Sequence, residues 1–146
     1  MILRRAAAFL AALALLWAAP AWAAGTVVVT TSDVGHGVTK YSIDWTSDAA
    51  GAVSGNAFAV TAGTIFQVEY TPDAAGTQPT DLYDATLVYA NGLDLLQGSG
   101  ANLSNVTAYG PVMQALYFHD GTRTVDLVIA NAGNAKGGTV VIWVGP

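Results

Sequence analysis

Strict alternation of apolar and polar residues in the segment VTKYSIDWT, residues 38–46, is the feature that most constrains the fold of this chain. Tyr41, Ile43 and Trp45 fall on one face of an extended strand, while the residues between them are polar. Successive side chains of a strand point to opposite faces, so a period of two indicates a strand buried on one side only. The chain is therefore expected to place these three residues in a core between sheets.

The rest of the sequence repeats this β pattern in short segments. Phe66, Val68 and Tyr70 share one face of a second alternating run at residues 64–71, and residues 122–130 form a third. Further runs are rich in Val, Ile, Tyr, Trp and Thr and are bounded by Gly, Asn, Asp and Pro, which is typical of strands between turns. These runs lie at residues 26–31, 58–60, 81–98, 111–119 and 139–144.

The chain contains few of the residues that helix surfaces require. Only 10% of the residues are charged, whereas helix surfaces are normally built from Glu, Lys, Gln and Arg. About eight or nine short strands with evenly spaced turn signals predict an all-β fold, an antiparallel β-sandwich of the jelly-roll or immunoglobulin-like kind. Residues 24–146 suffice for one such domain with its own core and are too few for two.

Turn chemistry predicts where the strands reverse. Asn91 and Gly92 lie between two apolar runs, which predicts a hairpin with a type I′ turn. Residues 131–138, NAGNAKGG, precede the last strand and are interpreted as the closing hairpin connection. A phosphate-binding loop is disfavoured there, because strand sequence rather than a helix start follows and Lys136 is not followed by Ser or Thr.

The first residues read as a targeting signal. Arg4 and Arg5 form a short positive region, residues 6–19 are apolar, and Ala-Trp-Ala at residues 21–23 after Pro20 fits a cleavage site. The apolar run is shorter than the roughly 20 residues of a membrane-spanning helix. We therefore predict a signal peptide at residues 1–23, in helical form if retained. Export to the periplasm or the extracellular space follows, with no stable membrane span after cleavage.

Charge and cysteine content exclude several classes of function. Without Arg4 and Arg5, three basic residues stand against ten acidic ones, a formal charge of −7. Nucleic-acid binding is disfavoured because phosphates require clustered Lys and Arg, and anionic membrane surfaces are disfavoured for the same reason. The chain has no cysteine, which excludes disulfides, thiol nucleophiles, Cys-based zinc sites and iron–sulfur clusters.

No set of residues has the spacing of a metal site. His36 and His119 lack a partner at the spacing of two ligands on one strand or helix, and both are interpreted as turn or solvent residues. Calcium would require 6–8 oxygen ligands. The aspartates that come nearest to such a set lack the usual loop spacing; they are Asp73, Asp81, Asp84 and Asp94. We predict no metal and no cofactor.

Catalytic patterns are equally sparse, and the chain is predicted not to be an enzyme. Glu69 with an aspartate would be needed for glycoside hydrolysis, but Glu69 lies on the polar face of a predicted strand. Ser99 is not in the Gly-x-Ser-x-Gly context of a nucleophile elbow. A Ser-His-Asp triad is defined by geometry rather than by sequence order, so an exported hydrolase is kept as the least favoured alternative.

Aromatic residues provide the second functional hypothesis. A row of exposed rings could stack on sugar rings, which predicts a secreted module that binds glycans or cell surfaces. Most aromatic residues fall on the apolar faces of their strands, where burial is the usual outcome. Tyr83 and Tyr109 are the predicted surface-binding residues, and Tyr109 is favoured because it lies in a loop.

Three segments together resemble a family of small all-β proteins encoded among the structural genes of tailed phages and prophages. These segments are GVTKYSIDWTSDAAGAVSG at residues 37–55, PTDLYDATLVYANGLDLLQGSGANLSN at residues 79–105 and LVIANAGNAKGGTVVIWV at residues 127–144. The resemblance implies a virion-associated structural protein with no catalytic residues. The export signal departs from that family, because particles assembled in the cytoplasm do not require one. The expected function is an exported, non-enzymatic structural or interaction module, with protein partners or self-assembly.

Overall fold

The computed structural model describes residues 24–89, 91–112, 116–118 and 123–146; for residues 111–112 and 116–118 it describes the backbone only. The predicted signal peptide at residues 1–23 and the side chain of His119 lie outside the described residues. Within these ranges no helix is long and apolar enough to cross a membrane.

The described chain is all-β, as predicted, with nine strands in two antiparallel sheets. One three-residue 3₁₀ turn at Ala75–Thr77 lies in the proline-containing loop after the fourth strand. The strands are β1 Thr26–Gly35, β2 Val38–Thr46, β3 Phe58–Val60, β4 Gly63–Pro72, β5 Asp84–Tyr89, β6 Tyr109–Val112, β7 Leu116–Phe118, β8 Arg123–Ala130 and β9 Gly137–Gly145.

The larger sheet has six strands and contains both ends of the described chain. Its order is β1-β2-β9-β4-β6, and β7 also pairs with β4. β1 and β2 are joined by a tight turn at Gly35–Gly37, and β9 inserts between β2 and β4. The smaller sheet has the order β3-β8-β5. Side chains from both sheets form one continuous buried cluster, which is the arrangement of a β-sandwich.

The predicted alternation in β2 is confirmed. Tyr41, Ile43 and Trp45 are 2%, 0% and 1% exposed, while Asp44 on the opposite face is exposed. The indole of Trp45 packs on the ring of Tyr83, with 5.6 Å between the ring centroids. Trp45 also lies against the backbone of β9, where an added Cβ at position 138 would come within 2.9 Å of Cζ2 of the indole. Glycine at position 138 therefore gives the largest side chain of the core its space.

The alternation predicted for β4 is interrupted by a bulge. Ile65, Val68 and Tyr70 point into the core, and Phe66 is only half-buried. The register against β9 shifts between Ile65 and Gln67. A bulge adds one residue to one strand, so the side chains before and after it change phase. The prediction that Phe66 shares the core face of Val68 and Tyr70 is therefore wrong, and Ile65 takes that place.

The hairpin predicted around Asn91 and Gly92 forms, but it is very short. The predicted type I′ turn is wrong, because the turn runs from Tyr89 to Gly92 and Asn91 and Gly92 are therefore not its two central residues. The N–H of Gly92 donates to the carbonyl of Tyr89 at 2.8 Å, and the N–H of Tyr89 donates to the carbonyl of Leu93 at 2.9 Å. A single bridge between Val88 and Asp94 follows, and no second strand extends from it over residues 91–108. The chain instead turns inward and buries two leucines in the core, Leu95 and Leu96.

The segment NAGNAKGG does not form a closing hairpin. β8 belongs to the smaller sheet and β9 to the larger one, so residues 131–136 cross from one sheet to the other. Backbone groups of this crossover bind the loop after β2: the N–H of Ala132 donates to the carbonyl of Gly51 at 3.0 Å, and the N–H of Lys136 donates to Ser47 Oγ at 2.9 Å. Lys136 Nζ donates to the carbonyl of Gly76 at 2.9 Å. The crossover therefore fastens loops at one end of the sandwich.

Candidate functional site

The two tyrosines predicted as surface-binding residues have different environments. Tyr83 is 1% exposed and its ring packs on Trp45, so it cannot contact a ligand at the surface. The prediction for Tyr83 is wrong because the local alternation turns it inward together with Ala85 and Leu87. Tyr109, at the start of β6, is 39% exposed. Tyr109 is thus the one of the pair that is accessible.

Tyr109 lies beside a shallow depression of about 220 Å³ at the β4–β6 side of the larger sheet. The depression is lined by Glu69, Thr71, Ala108, Tyr109 and Gly110. Gln67 Nε2 donates to Glu69 Oε1 at 2.9 Å, which orients the carboxylate. An added Cβ at Gly110 would come within 2.6 Å of Glu69 Cγ, so glycine at this position makes room for the glutamate stem. The site offers hydrogen-bonding groups beside an aromatic residue.

Several aspartates hold loops by accepting hydrogen bonds from backbone N–H groups. Asp94 accepts from Leu96 at 2.9 Å and from Gly98 at 2.8 Å. Asp48 accepts from Ala50 and Ala52 at 2.8 and 2.9 Å, and Asp126 accepts from Gly55 and Asn56 at 2.7 and 2.9 Å. Asp48 and Asp94 bind backbone groups within four residues of themselves and so stabilise their own turns, whereas Asp126 on β8 holds residues 55–56 of a loop distant in sequence. Their carboxylates serve the loop structure.

The aspartates considered as calcium ligands belong to the same kind of arrangement. Asp84 Oδ1 accepts from the N–H of Asn102 at 2.8 Å, and its Oδ2 accepts from Asn131 Nδ2 at 3.0 Å. Asp81 Oδ1 accepts from the N–H of Asn105 at 3.2 Å. Among the residues that the structure describes, no group of three His, Asp or Glu side chains is placed to hold a metal ion.

The residues considered for a hydrolase are also placed by the structure. Ser99 Oγ and the hydroxyl of Tyr70 are 2.8 Å apart and share a hydrogen bond. His36 occupies the exposed turn between β1 and β2 with a φ of 55°. Glu69 lies on the outer face of β4 beside Gln67, as the alternation predicts. Ser99 is thus hydrogen-bonded to a tyrosine, and His36 lies in a turn at the edge of the larger sheet.

Two core tyrosines have strongly altered acidity. Burial raises the pKa of Tyr70 from 10.0 to about 12; the Ser99 hydrogen bond opposes this rise and the charge of Asp94 adds to it. Burial likewise raises the pKa of Tyr83 to about 12, with smaller contributions from Tyr70, Tyr109 and Asp73. Burial disfavours the charged form of a phenol because that form loses its hydration. Both phenols are therefore neutral in the core at neutral pH, and that of Tyr70 shares a hydrogen bond with Ser99.

The loops at one end of the sandwich expose two large apolar side chains. Leu82 is 57% exposed and Val106 is 74% exposed. Their segments are joined by hydrogen bonds, from the N–H of Leu82 to the carbonyl of Leu103 at 3.0 Å and from the N–H of Leu103 to the carbonyl of Tyr83 at 2.8 Å. The N–H of Val106 donates to Ser104 Oγ at 3.2 Å. We refer to Leu82 and Val106 as the apolar tip.

Leu82 is held in an unfavourable backbone conformation. Its φ is 63°, in the left-handed region, which disfavours residues other than glycine, asparagine and aspartate by roughly 1–2 kcal/mol. This conformation places Leu82 in solvent while the next residue, Tyr83, enters the core. Sequence reasoning missed the apolar tip, although one signal was present: Tyr83, Ala85 and Leu87 share one parity, which leaves Leu82 on the outer side.

Comparison with known proteins gives no relative for this chain. No protein-family model, no curated protein and no solved structure matches it. The resemblance to phage structural proteins therefore stays a prediction based on the three segments in which it was found.

Proposed function

We propose that this protein is an exported, non-enzymatic interaction module that binds the surface of another protein through the apolar tip. The observation that carries the proposal is Leu82, a leucine that is 57% exposed and held at a φ of 63°. Both its exposure and its backbone conformation are unfavourable in the free protein. Residues retained in strained conformations are concentrated at functional positions.

The surroundings of the apolar tip favour recognition. Exposed loops on a rigid sheet scaffold commonly carry binding residues, and the loops that carry Leu82 and Val106 are joined by backbone hydrogen bonds between Leu82, Tyr83 and Leu103. The loops that present the tip are fastened by Asp81, which accepts from Asn105, and by Gln78 Nε2, which donates to the carbonyl of Asn105 at 2.8 Å. A fixed loop loses less conformational entropy on binding. A partner on a particle or in the cell envelope fits the predicted export and the resemblance to virion-associated proteins.

The variant Leu82→Asn tests this proposal through two opposite effects. Asparagine tolerates the left-handed conformation, so the free energy of unfolding is expected to rise by about 0.5–1 kcal/mol. Loss of the apolar contact is expected to reduce binding to isolated particle and envelope fractions of the producing cells by about tenfold. Urea denaturation and co-sedimentation of the purified mature chain measure the two quantities. A gain in stability together with a loss of binding separates a functional residue from a structural one.

Leu93→Asn is the matched control for this experiment. Leu93 is 52% exposed and follows the other end of β5, about 20 Å along the strand from Leu82. Its substitution is expected to leave co-sedimentation unchanged. Equal binding by the wild-type chain, Leu82→Asn and Leu93→Asn would exclude the apolar tip as the contact surface.

A second candidate function, binding of a neutral glycan, is favoured by the depression beside Tyr109. An accessible aromatic residue next to an oriented carboxylate and the hydroxyl of Thr71 can combine stacking with hydrogen bonds to sugar hydroxyls. Glycan-array screening of the wild-type chain is expected to show binding that Tyr109→Ala lowers at least about fivefold and that Leu93→Asn retains. An array without any signal would remove this candidate.

A further inference from the structure

β1 is a long edge strand, and no strand of the described residues pairs with the outer side of its backbone. It has ten residues, and among the strands that the structure describes it pairs only with β2. Nearly the whole of β1 is exposed, including Val28 at 63% and Val34 at 51%. An edge strand presents unpaired N–H and C=O groups in a regular row, which is a template for another strand.

The features that usually protect such an edge are mostly missing from β1. The strand contains no proline and no lysine, and Asp33 is its one charged residue. The only irregularity in its pairing with β2 lies between Asp33 and Gly35, at the far end. From Thr26 to Asp33 the register is continuous. This stretch is therefore regular enough to pair with an incoming strand over about eight residues.

Charge determines which strand this edge can accept. Asp44 lies directly opposite Val28 on β2 and is exposed on the outer face of the sheet, whereas Asp33 on β1 has the opposite parity and lies on the other face. Lys40 shares the outer face with Asp44, but its Nζ lies over the ring of Trp143 on β9, on the side of β2 away from β1. Strands are separated by about 4.8 Å, so a lysine on an incoming strand can extend over Val28 toward Asp44. Residues 24–146 carry ten acidic and three basic side chains. A second copy of the chain would bring like charge to the edge, whereas a basic segment would bring opposite charge.

We propose that β1 binds an extended, basic β segment of another protein by adding it as a further strand to the larger sheet. Backbone hydrogen bonds provide the alignment, and one carboxylate on each face of the sheet, Asp44 on the outer face and Asp33 on the other, selects Lys or Arg side chains on the incoming strand. This surface is separate from the apolar tip. β1 is an edge strand of the larger sheet, whereas Leu82 lies in the loop before β5, which is an edge strand of the smaller sheet. The inference therefore does not depend on the proposed function.

The experiment uses synthetic peptides of about nine residues made of Val and Thr, with Lys at both ends and at two adjacent central positions, so that each face of the added strand presents lysine. One control peptide has Glu in place of each Lys, and a second has N-methyl groups on alternate residues, which remove the backbone donors of one edge. Binding to the mature chain is measured by fluorescence anisotropy. Hydrogen exchange of the complex locates the protected amides.

The lysine peptide is expected to bind and to protect the amides of β1, while both control peptides bind at least about tenfold more weakly. Asp33→Asn and Asp44→Asn are each expected to lower the affinity about two- to five-fold, with a weaker salt dependence. Val28→Lys is expected to weaken binding further, and Val28→Thr serves as its isosteric control for folding.

Three results would overturn the inference. Equal affinity for the lysine, glutamate and N-methyl peptides would show that neither charge nor the backbone edge selects the ligand. Protection confined to residues 81–83 and 103–107 would place binding at the apolar tip. A concentration-dependent dimer that Val28→Lys abolishes, measured by light scattering, would identify the occupant of β1 as a second copy of the chain.

Discussion

Replacing Trp45 with alanine is expected to lower the free energy of unfolding by about 3–5 kcal/mol. Trp45 is 1% exposed, packs on Tyr83 and lies against Gly138, so the substitution removes contacts on two sides and leaves a cavity between the sheets. With no cysteine in the sequence, no disulfide offsets this loss. Urea denaturation followed by circular dichroism measures the change.

Trp143→Ala is the control for Trp45→Ala. Trp143 is half-buried on the outer face of β9, where Lys40 Nζ lies 5.4 Å from its ring centroid. Loss of partial burial and of this cation–π contact is expected to lower the free energy of unfolding by about 1–2 kcal/mol. If the two tryptophan variants were equally destabilised, the assignment of Trp45 to the inner face and Trp143 to the outer face would be wrong.

The faces of regular strands could be predicted from the sequence because alternation directly encodes burial. Tyr41, Ile43 and Trp45 are buried as predicted, and the bounds of β2 agree with the alternating segment. Alternation no longer predicts the buried face where a bulge adds a residue to a strand. The bulge at Phe66 cannot be recognised from the apolar pattern of the sequence. Bulges depend on the partner strand, here β9, which is distant in sequence.

Pairing between strands was harder to predict than the strands themselves. β8 and β9 are neighbours in sequence and belong to different sheets, because the crossover at residues 131–136 is fastened to Ser47, Gly51 and Thr80. Turn-forming residues such as Asn131 and Gly133 permit either a hairpin within one sheet or a crossover between two sheets. Their chemistry alone does not distinguish a hairpin from a crossover.

Of the residues in the candidate sites, the sequence predicted Tyr109 and did not predict Leu82, because the exposure of Leu82 also depends on contacts that are distant in sequence. Tyr109 was identified because it was predicted to lie in a loop; it is accessible, but it is the first residue of β6 and pairs with Tyr70, so the predicted loop placement is wrong. Leu82 was missed because its exposure follows from its positive φ and from the pairing of Tyr83 with Leu103, a contact across 20 residues. The parity of Tyr83, Ala85 and Leu87 places Leu82 on the outer side, but its positive φ and its position in a loop depend on tertiary pairing that periodicity does not encode.

Raising the pH from about 10 to 12 is expected to destabilise the wild-type chain through Tyr70 and Tyr83. The pKa of each buried phenol is raised from 10.0 to about 12. Above pH 10 the unfolded chain releases these protons while the folded chain keeps them, so the free energy of unfolding falls as the pH rises. The contribution of each tyrosine is fully present below pH 10 and amounts to roughly 2–3 kcal/mol, lost by pH 12.

Tyr70→Phe isolates one of these two contributions. Phenylalanine keeps the ring in the core and removes the ionisable hydroxyl together with its 2.8 Å hydrogen bond to Ser99. The variant is expected to be about 1 kcal/mol less stable than the wild-type chain below pH 10 and to lose stability at about half the wild-type rate above it. Urea denaturation at several pH values, with tyrosinate absorbance recorded in parallel, measures both slopes. Equal slopes in the two proteins would mean that Tyr70 ionises freely in the folded state, and the hydroxyl would then have to be accessible to water rather than enclosed between the sheets.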